Sequence, residues 1–205
     1  MTGIPASTGQ GSPYETADFK GLLQSEAEDT AVMESSDDEV SAQVPVISAA
    51  WRFLKPFYED GNLAAAWPSV DPVLRLCWAQ WWLHANATQV AADGHDPDQV
   101  AQTFVAETDA YAYPLWPHFC RVVLRDFRAA FPLDPSTWGI GAAPRVLAPD
   151  TELLYVHRHQ PAGGLWPPGA TSEVVPLVMH LAEGRWCVVN LGYERVPVPG
   201  WPPVL

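Results

Sequence analysis

Basic side chains are scarce in this chain of 205 residues: 11 lysines and arginines stand against 24 aspartates and glutamates, for a formal net charge of −13. A general nucleic-acid binder needs a basic surface. Electrostatic docking on anionic lipid needs one too. The composition therefore argues against both classes of protein.

Cysteines and long apolar runs are also scarce. Three widely spaced cysteines provide neither a disulfide framework nor a C-x-x-C zinc motif. No apolar run reaches the roughly 18 residues of a membrane span, and no basic start followed by an apolar stretch marks a signal peptide. These absences predict a soluble, cytoplasmic protein without a metal or other cofactor.

Charge and aromatic residues are distributed unevenly. Residues 1–44 hold nine acids and one base, Lys20, whereas all ten tryptophans follow residue 50. A segment with so few large apolar groups cannot bury enough surface to offset the entropy of ordering, so we predict a disordered acidic arm. Within it, Phe19, Leu22 and Leu23 share one helical face. Either this is chance apolarity in a tail, or the three residues form a recognition helix that folds on a partner.

The next part of the chain, residues 46–131, has helical periodicity. A first helix, 47–60, is weakened in its second half by Pro56. The strongest helix opens at Asp71, a capping residue followed by proline, and is apolar nearly all round, so we expect it at the centre of the domain. A helix over about 117–131 carries three arginines at i, i+4 and i+7, which are candidate partner contacts: Arg121, Arg125 and Arg128.

After Pro132 the pattern changes to strands, of which the clearest are the two arms of a hairpin around Glu183-Gly184. Counting outward from this turn pairs Met179 with Val188 and Val178 with Val189. One face then carries Leu177, Met179, Leu181, Trp186, Val188 and Asn190, and the other carries Val178, His180, Cys187 and Val189.

Both faces of this hairpin are apolar, and an antiparallel sheet of that kind needs cover on both. Self-association is the commonest cover, so we predict a homodimer through the outer face, with Val178 and Val189 as candidate contacts. The competing covers are the helices and the proline-rich tail. We expect that tail to run extended over the surface, pinned by Trp201.

These patterns predict an α+β protein in which N-terminal helices pack on a curved, cone-like antiparallel sheet. The predicted organisation is a disordered acidic arm over 1–44, a single domain over 45–193, and an extended proline-rich tail over 194–205. Three short motifs then suggest a family: Ala50-Trp51-Arg52, Glu59-Asp60-Gly61-Asn62-Leu63, and Ala182-Glu183-Gly184-Arg185-Trp186-Cys187-Val188.

With these motifs, residues 48–193 resemble the nuclear-transport-factor-2-like superfamily. The resemblance implies a helix-lined cone, often apolar inside, that commonly dimerises through its sheet. Members include polyketide-cyclase-like and ketosteroid-isomerase-like proteins. The chain departs from the family over 71–131, where it has more helices than the cone needs. The superfamily contains enzymes, binding proteins and domains with empty cavities, so the fold alone does not determine the function.

No catalytic motif is complete. A cyclase-like or isomerase-like reaction needs an acid or base in a water-poor cavity; the candidates are Asp109, His118, His157 and His180. With His159, two of these histidines could present three imidazoles to a metal ion, but no carboxylate pattern supports such a site. His180 beside Cys187 is either a thiolate pair or a satisfied histidine beside a small buried hydrophobe.

Six residues are candidates for lining a ligand pocket: Trp78, Trp81, Trp82, Tyr111, Tyr155 and Asn190. Core packing is the favoured interpretation of the three tryptophans, because a buried helix with three indoles builds a core on its own. Asn190, a lone amide among apolar side chains, needs a hydrogen-bonding partner.

Three functions remain open. The first, which we favour, is a non-catalytic module that binds a partner protein or a small apolar ligand. The second is a small enzyme acting on a cyclic carbonyl or polyketide-like substrate. The third is a scaffold component whose apolar sheet face and proline-rich tail form interfaces. A cone filled by side chains would favour the first and third.

Overall fold

The computed structural model describes residues 45–133, 137–141, 145–158 and 174–205. The predicted acidic arm, with Phe19, Leu22 and Leu23, lies outside the described residues, as does His159. The prediction of an α+β fold is confirmed: helices are followed by a strongly curled antiparallel half-barrel sheet.

The first helix, α1, covers residues 45–54 and continues into a π-helical turn, Lys55–Glu59. Pro56 has no N–H to donate, so the regular ladder cannot continue through it. The hydrogen bond from the Asp60 N–H to the Lys55 oxygen, 3.4 Å, spans five residues, as in a π-helix, where an α-helical bond spans four. The sequence predicted this weakening, and the turn keeps Phe57 and Tyr58 buried.

In the described part of the chain, six further α-helices follow, with a 3₁₀ turn, Trp67–Ser69, after the first of them: α2 Leu63–Ala66, α3 Pro72–Ala85, α4 Ala87–Ala92, α5 Pro97–Val105, α6 Asp109–Ala112 and α7 Trp116–Ala130. The start of α3 is as predicted, with Pro72 at its first position and the Asp71 carboxylate accepting from the Val73 N–H at 2.8 Å. Residues on most sides of α3 are buried, so this helix lies at the centre of the domain as expected.

Within the described residues the sheet has five strands: β1 Trp138–Ile140, β2 Arg145–Ala148, β3 Thr151–Arg158, β4 Val174–Ala182 and β5 Arg185–Leu191. Its order is β1-β3-β4-β5, and β2 also pairs with β3. Beside β5, Val70 forms a parallel bridge with Val188, and the Asp71 N–H donates to the Val188 oxygen at 2.8 Å. This bond attaches the start of α3 to the sheet.

The β4–β5 hairpin confirms part of the predicted register. Glu183 and Gly184 both have positive φ, 53° and 75°, as a tight two-residue hairpin turn requires. The pairing of Met179 with Val188 is as predicted, but Val178 pairs with Asn190 and not with Val189. A bulge adds one residue to β5 at this point, so the prediction that placed Asn190 with Leu177 and Met179 was wrong.

Both faces of the hairpin are apolar, as predicted. Leu177, Met179 and Val188 belong to the main core shared with the helices, whereas Val178 and Val189 belong to a second cluster with Leu153 and Tyr155.

The second face is closed within the single chain. Val178 is 0% exposed and Val189 is 2% exposed, so the expectation that they present a contact surface was wrong. Tyr155 donates to Glu194 at 3.0 Å, and the Asn190 side chain donates to the Arg195 carbonyl at 2.8 Å. The segment after β5 therefore contacts this face of the sheet. The reason for predicting a homodimer through this face, that it lacks cover within one chain, no longer holds.

Candidate functional site

The inner side of the curled sheet is packed with large side chains in the described part of the chain. Trp78 is 0% exposed, and its ring lies 4.7 Å from Phe127, 6.0 Å from Phe57 and 6.1 Å from Trp67. Helix and sheet residues share this single core. Of the two interpretations of Trp78, these contacts favour core packing over a place in the wall of a ligand pocket.

The other candidate pocket residues do not converge on one cavity. Trp81 is half-buried, with its ring 6.0 Å from Phe127. Tyr111 is exposed and donates to the Ala64 carbonyl at 3.1 Å. Tyr155 and Asn190 contact the segment after β5 instead, as described above.

Trp82 lies in the core but also lines a surface cleft of about 280 Å³ with Asn86, Gln89, Val90, Asp93, Pro114, Leu115 and His118. Polar side chains of this cleft bond to protein groups nearby: Gln89 donates to Asp93 at 2.8 Å, and Arg121 donates to His118 Nδ1 at 2.7 Å. The volume is below the usual range of small-molecule sites, about 300–1,000 Å³. This cleft brings Trp82 and His118 together without an acid–base pair.

A polar seam connects the helices to the sheet; we define it as Asp71, Arg75, Glu107, Asp150, His180 and Arg185. His180 Nδ1 lies 2.8 Å from the Asp71 carboxylate, and Nε2 lies 3.5 Å from that of Asp150. The hydrogen bond with Asp71 is the main cause that raises the pKa of His180 above its ordinary value. His180 therefore keeps its proton to a higher pH than an ordinary histidine does, and a carboxylate faces each of its ring nitrogens.

Cys187 pairs with His180 across the hairpin, as predicted. It is 2% exposed, and burial raises the pKa of its thiol. A buried, protonated thiol is not a nucleophile. The thiolate pair is thus not supported, and Cys187 packs as a small hydrophobe.

The rest of the polar seam is an ion-pair group around a buried arginine. Arg75 is 3% exposed; it donates to Glu107 at 2.8 Å and to the Val105 carbonyl at 3.0 Å, and Arg185 donates to Glu107 at 3.2 Å. The bond from Arg75 is the main cause that lowers the pKa of Glu107. These contacts join α3, the end of α5 and β5, which is a structural role.

The remaining acid–base candidates lie apart from the polar seam. Asp109 is exposed in the first turn of α6, His118 is exposed on α7, and His157 is half-buried on β3, where it pairs with Gly139. The contacts described for Asp109 and His118 do not include each other or His180. Asp109 and His118 therefore form no acid–base pair with each other or with His180 in the described part of the chain.

Sequence reasoning missed Glu152. Strand alternation places it on the same face as Leu154 and Val156, which belong to the main core. One of its carboxylate oxygens is buried and has no hydrogen-bond partner among the described residues, and burial raises the pKa of Glu152. The alternation was the signal that could have identified it. Among the described residues, no charged side chain contributes to that pKa, so Glu152 has no obvious catalytic partner there.

The three predicted partner-binding arginines have different surroundings. Arg128 donates to the Tyr58 carbonyl at 2.9 Å and so joins α7 to the π-helical turn. Arg125 pairs with Asp126 on the surface, and Arg121 donates to His118. All three arginines are exposed, and Arg128 also has a structural bond.

The largest concentration of exposed apolar side chains lies in residues 193–204, which we call the C-terminal strap. Ten large apolar side chains are exposed within the described residues, and half of them belong to the strap: Tyr193, Val196, Val198, Trp201 and Val204. The strap also carries four prolines, at positions 197, 199, 202 and 203. Apolar exposure on this scale in a short segment is characteristic of contact surfaces.

The strap is held by hydrogen bonds at several points. The Gly200 N–H donates to the Gln80 side chain at 2.9 Å, and the Trp201 indole donates to Asp98 at 3.1 Å. Val198 and Val204 exchange backbone bonds of 2.8 and 2.9 Å. The expectation that Trp201 pins the tail agrees with its bond to the start of α5.

Comparison with protein-family models, with curated proteins and with solved structures finds no match. Over the described ranges, no helix is long and apolar enough to cross a membrane. In the same ranges, no three histidine, cysteine, aspartate or glutamate side chains are grouped as metal ligands. The function must therefore be inferred from the geometry of the chain itself.

Proposed function

We propose that this protein is a non-catalytic interaction module that binds a partner protein through the C-terminal strap. The observation that carries the proposal is the concentration of exposed apolar side chains on one ordered loop. Single exposed apolar residues are ordinary, but five within twelve residues mark a contact surface. This function combines the first and third hypotheses drawn from the sequence.

The chemistry of the strap defines the surface that would bind it. The two charged residues of the strap, Glu194 and Arg195, lie at its start, whereas residues 196–204 carry no charged side chain and include four prolines. Apolar, aromatic-lined grooves bind proline rings and indoles well. Because the strap is already held in place, binding costs less ordering entropy than for a flexible peptide. The partner is therefore a protein with an uncharged, aromatic-lined groove.

The area of the strap favours such a partner over a second copy of the chain. Five side chains that expose about half of their surface offer a few hundred Å². A stable dimer buries about 800 Å² on each partner. A groove that encloses the loop on several sides gains more area from the same segment than a flat contact between two straps.

An enzyme is less well supported. A reaction on a cyclic carbonyl needs space and an acid–base pair inside the cone, whereas Trp78 and its neighbours occupy the inner side. The ring nitrogens of His180 face two carboxylates of the polar seam, and Cys187 is buried. The curled sheet is compatible with the nuclear-transport-factor-2-like resemblance, which stays a proposal, and that superfamily includes binding proteins.

Site-specific photo-crosslinking in the source cells tests this function. A photoreactive amino acid at Val198 in the full chain should give a defined crosslinked protein, and the same residue at Val146 should not. Val146 is the matched control for Val198. Both are exposed valines, 66% for Val146 and 59% for Val198, but Val146 lies on β2 and not on the strap.

Equal crosslinking at both positions, or none at Val198, would contradict the proposal. So would a small molecule that the purified protein retains in native mass spectrometry. A crosslink between two copies of the chain would show that the strap binds itself, and would overturn the choice of partner.

A further inference from the structure

Two aspartates from separate parts of the chain face the two ring nitrogens of His180. Nδ1 is 2.8 Å from Asp71, which precedes α3, and Nε2 is 3.5 Å from Asp150, in the turn between β2 and β3. The backbone of His180 pairs with Thr151 on one side and with Cys187 on the other. The imidazole thus bridges the sheet, the start of α3 and the β2–β3 turn.

The protonation state decides how many of these contacts the ring can make as a donor. An imidazolium has an N–H at both nitrogens, whereas a neutral imidazole has only one. Asp71 is 3% exposed and fixed by its bonds to Val73 and Val188, but Asp150 is 55% exposed and further from the ring. A neutral His180 therefore keeps Asp71 and gives up Asp150.

We propose that His180 is a proton-operated latch: as imidazolium it ties the β2–β3 turn to the start of α3, and as neutral imidazole it releases the turn. The latch is independent of the proposed function. Release loosens β2, the strand that carries the exposed Val146, while the bond from the Leu181 N–H to the Asp150 oxygen, 2.7 Å, keeps the turn in register.

The groups around His180 set the pH range of the latch. The Asp71 bond and the charges of Asp71 and Asp150 raise the pKa of His180, and burial opposes them. Cys187 faces His180 from β5. Burial raises the pKa of its thiol, so the thiol stays neutral where His180 titrates. The Thr151 hydroxyl, which does not titrate in this range, donates to Asp150 at 3.2 Å. The proton therefore leaves above the ordinary histidine value, about pH 6.5.

Hydrogen exchange of the full chain tests the latch. Amides of residues 145–158, corrected for their intrinsic rates, should lose protection about fivefold as the pH rises through the pKa of His180, because the partly exposed ion pair between His180 and Asp150 is lost. His180→Gln should show no such step. His84→Gln, on an exposed histidine at the end of α3, should keep it and serves as the matched control.

A second variant keeps the test decisive if His180→Gln fails to fold. Asp150→Asn changes an exposed side chain and should show the low protection at every pH, with a lower titration midpoint of the His180 ring by nuclear magnetic resonance. An unchanged step in His180→Gln, an unchanged Asp150→Asn, or a His180 midpoint at or below about 6.5 would each overturn the latch.

Discussion

Replacing Trp78 by alanine should remove a large part of the stability of this domain. The side chain is 0% exposed and its ring contacts Phe53, Phe57, Trp67 and Phe127. Tryptophan-to-alanine changes in a core cost about 3–5 kcal/mol of unfolding free energy, through lost contacts and the cavity left behind. The total for a domain is only about 5–15 kcal/mol.

One feature of Trp78 moves the expected cost to the lower end of that range. Its indole N–H is buried and has no hydrogen-bond partner among the described residues. Removing an unsatisfied donor relieves about 1 kcal/mol or more. We therefore expect Trp78→Ala to cost about 3 kcal/mol, and Trp78→Phe, which keeps a ring and removes the N–H, to cost less than about 1.5 kcal/mol.

Urea unfolding followed by circular dichroism measures both variants, with Trp81→Ala as the matched control on the same helix. Trp81 is only half-buried, so its loss should cost about 1–2 kcal/mol. If Trp78→Ala unfolds at the wild-type urea concentration, the inner side is not a packed core. If Trp78→Phe costs as much as Trp78→Ala, the unpaired N–H does not matter and this part of the reasoning fails.

Three further predictions use thermal melts. Gly192→Ala should destabilise by about 2 kcal/mol or more, because its φ is +86° and an added Cβ would lie 1.9 Å from the Phe131 ring; a wild-type melt would show that Phe131 moves aside freely. Arg128→Ala should cost about 1 kcal/mol by removing a bond to the π-helical turn, whereas Arg125→Ala should leave the melt unchanged; the reverse order would contradict the assignment. The hydrogen bond from Arg75 lowers the pKa of Glu107, so this ion pair stabilises the fold fully above about pH 4.3, the pKa of an unfolded glutamate. That stabilisation is lost as the pH falls through the folded pKa. Glu107→Gln should therefore reduce the fall in melting temperature at acid pH, and an unchanged fall would refute the assignment.

Local signals in the sequence were sufficient for the start of α3 and for the irregular end of α1. Asp71 followed by proline and an apolar run specifies the start of α3, because the cap and the first-position proline act within one turn. Pro56 likewise marks where the ladder of α1 changes. Each of these features depends on neighbours within a few residues, which is the range over which sequence patterns are informative.

The hairpin shows where this range ends. The turn at Glu183-Gly184 fixes the pairs next to it, so the register was correct as far as Met179 and Val188. The bulge beyond has no signature, because Val189 and Asn190 suit a regular strand as well as a bulged one. The single extra residue moved Asn190 to the other face and removed it from the predicted pocket.

The candidate site depended on contacts that no local pattern specifies. Asp71 was predicted correctly as a cap, but its second carboxylate oxygen binds His180, 109 residues away. Asp150 was predicted only as a turn former, and its contact with His180 arises from the folded arrangement of β2, β3 and β4. The exposure of the strap was predictable from its prolines, but its bonds to Gln80 and Asp98 were not.

The strap has two roles that a deletion would confuse. Along it, Val196 and Val198 are exposed while Pro197 between them is buried, so one side lies on the domain and the other faces solvent. Near its start, Arg195 bonds to Asn190, the residue opposite the buried Val178.

A chain truncated after Gly192 should therefore lose partner crosslinking, melt at a lower temperature and bind more of a hydrophobic dye, because the outer face of the sheet loses contacts. Val198→Asp changes only the solvent side, so it should lose the partner and keep the wild-type melt and dye binding. If Val198→Asp melts like the truncated chain, the exposed side of the strap stabilises the domain. It would then be part of the fold and not a free contact surface.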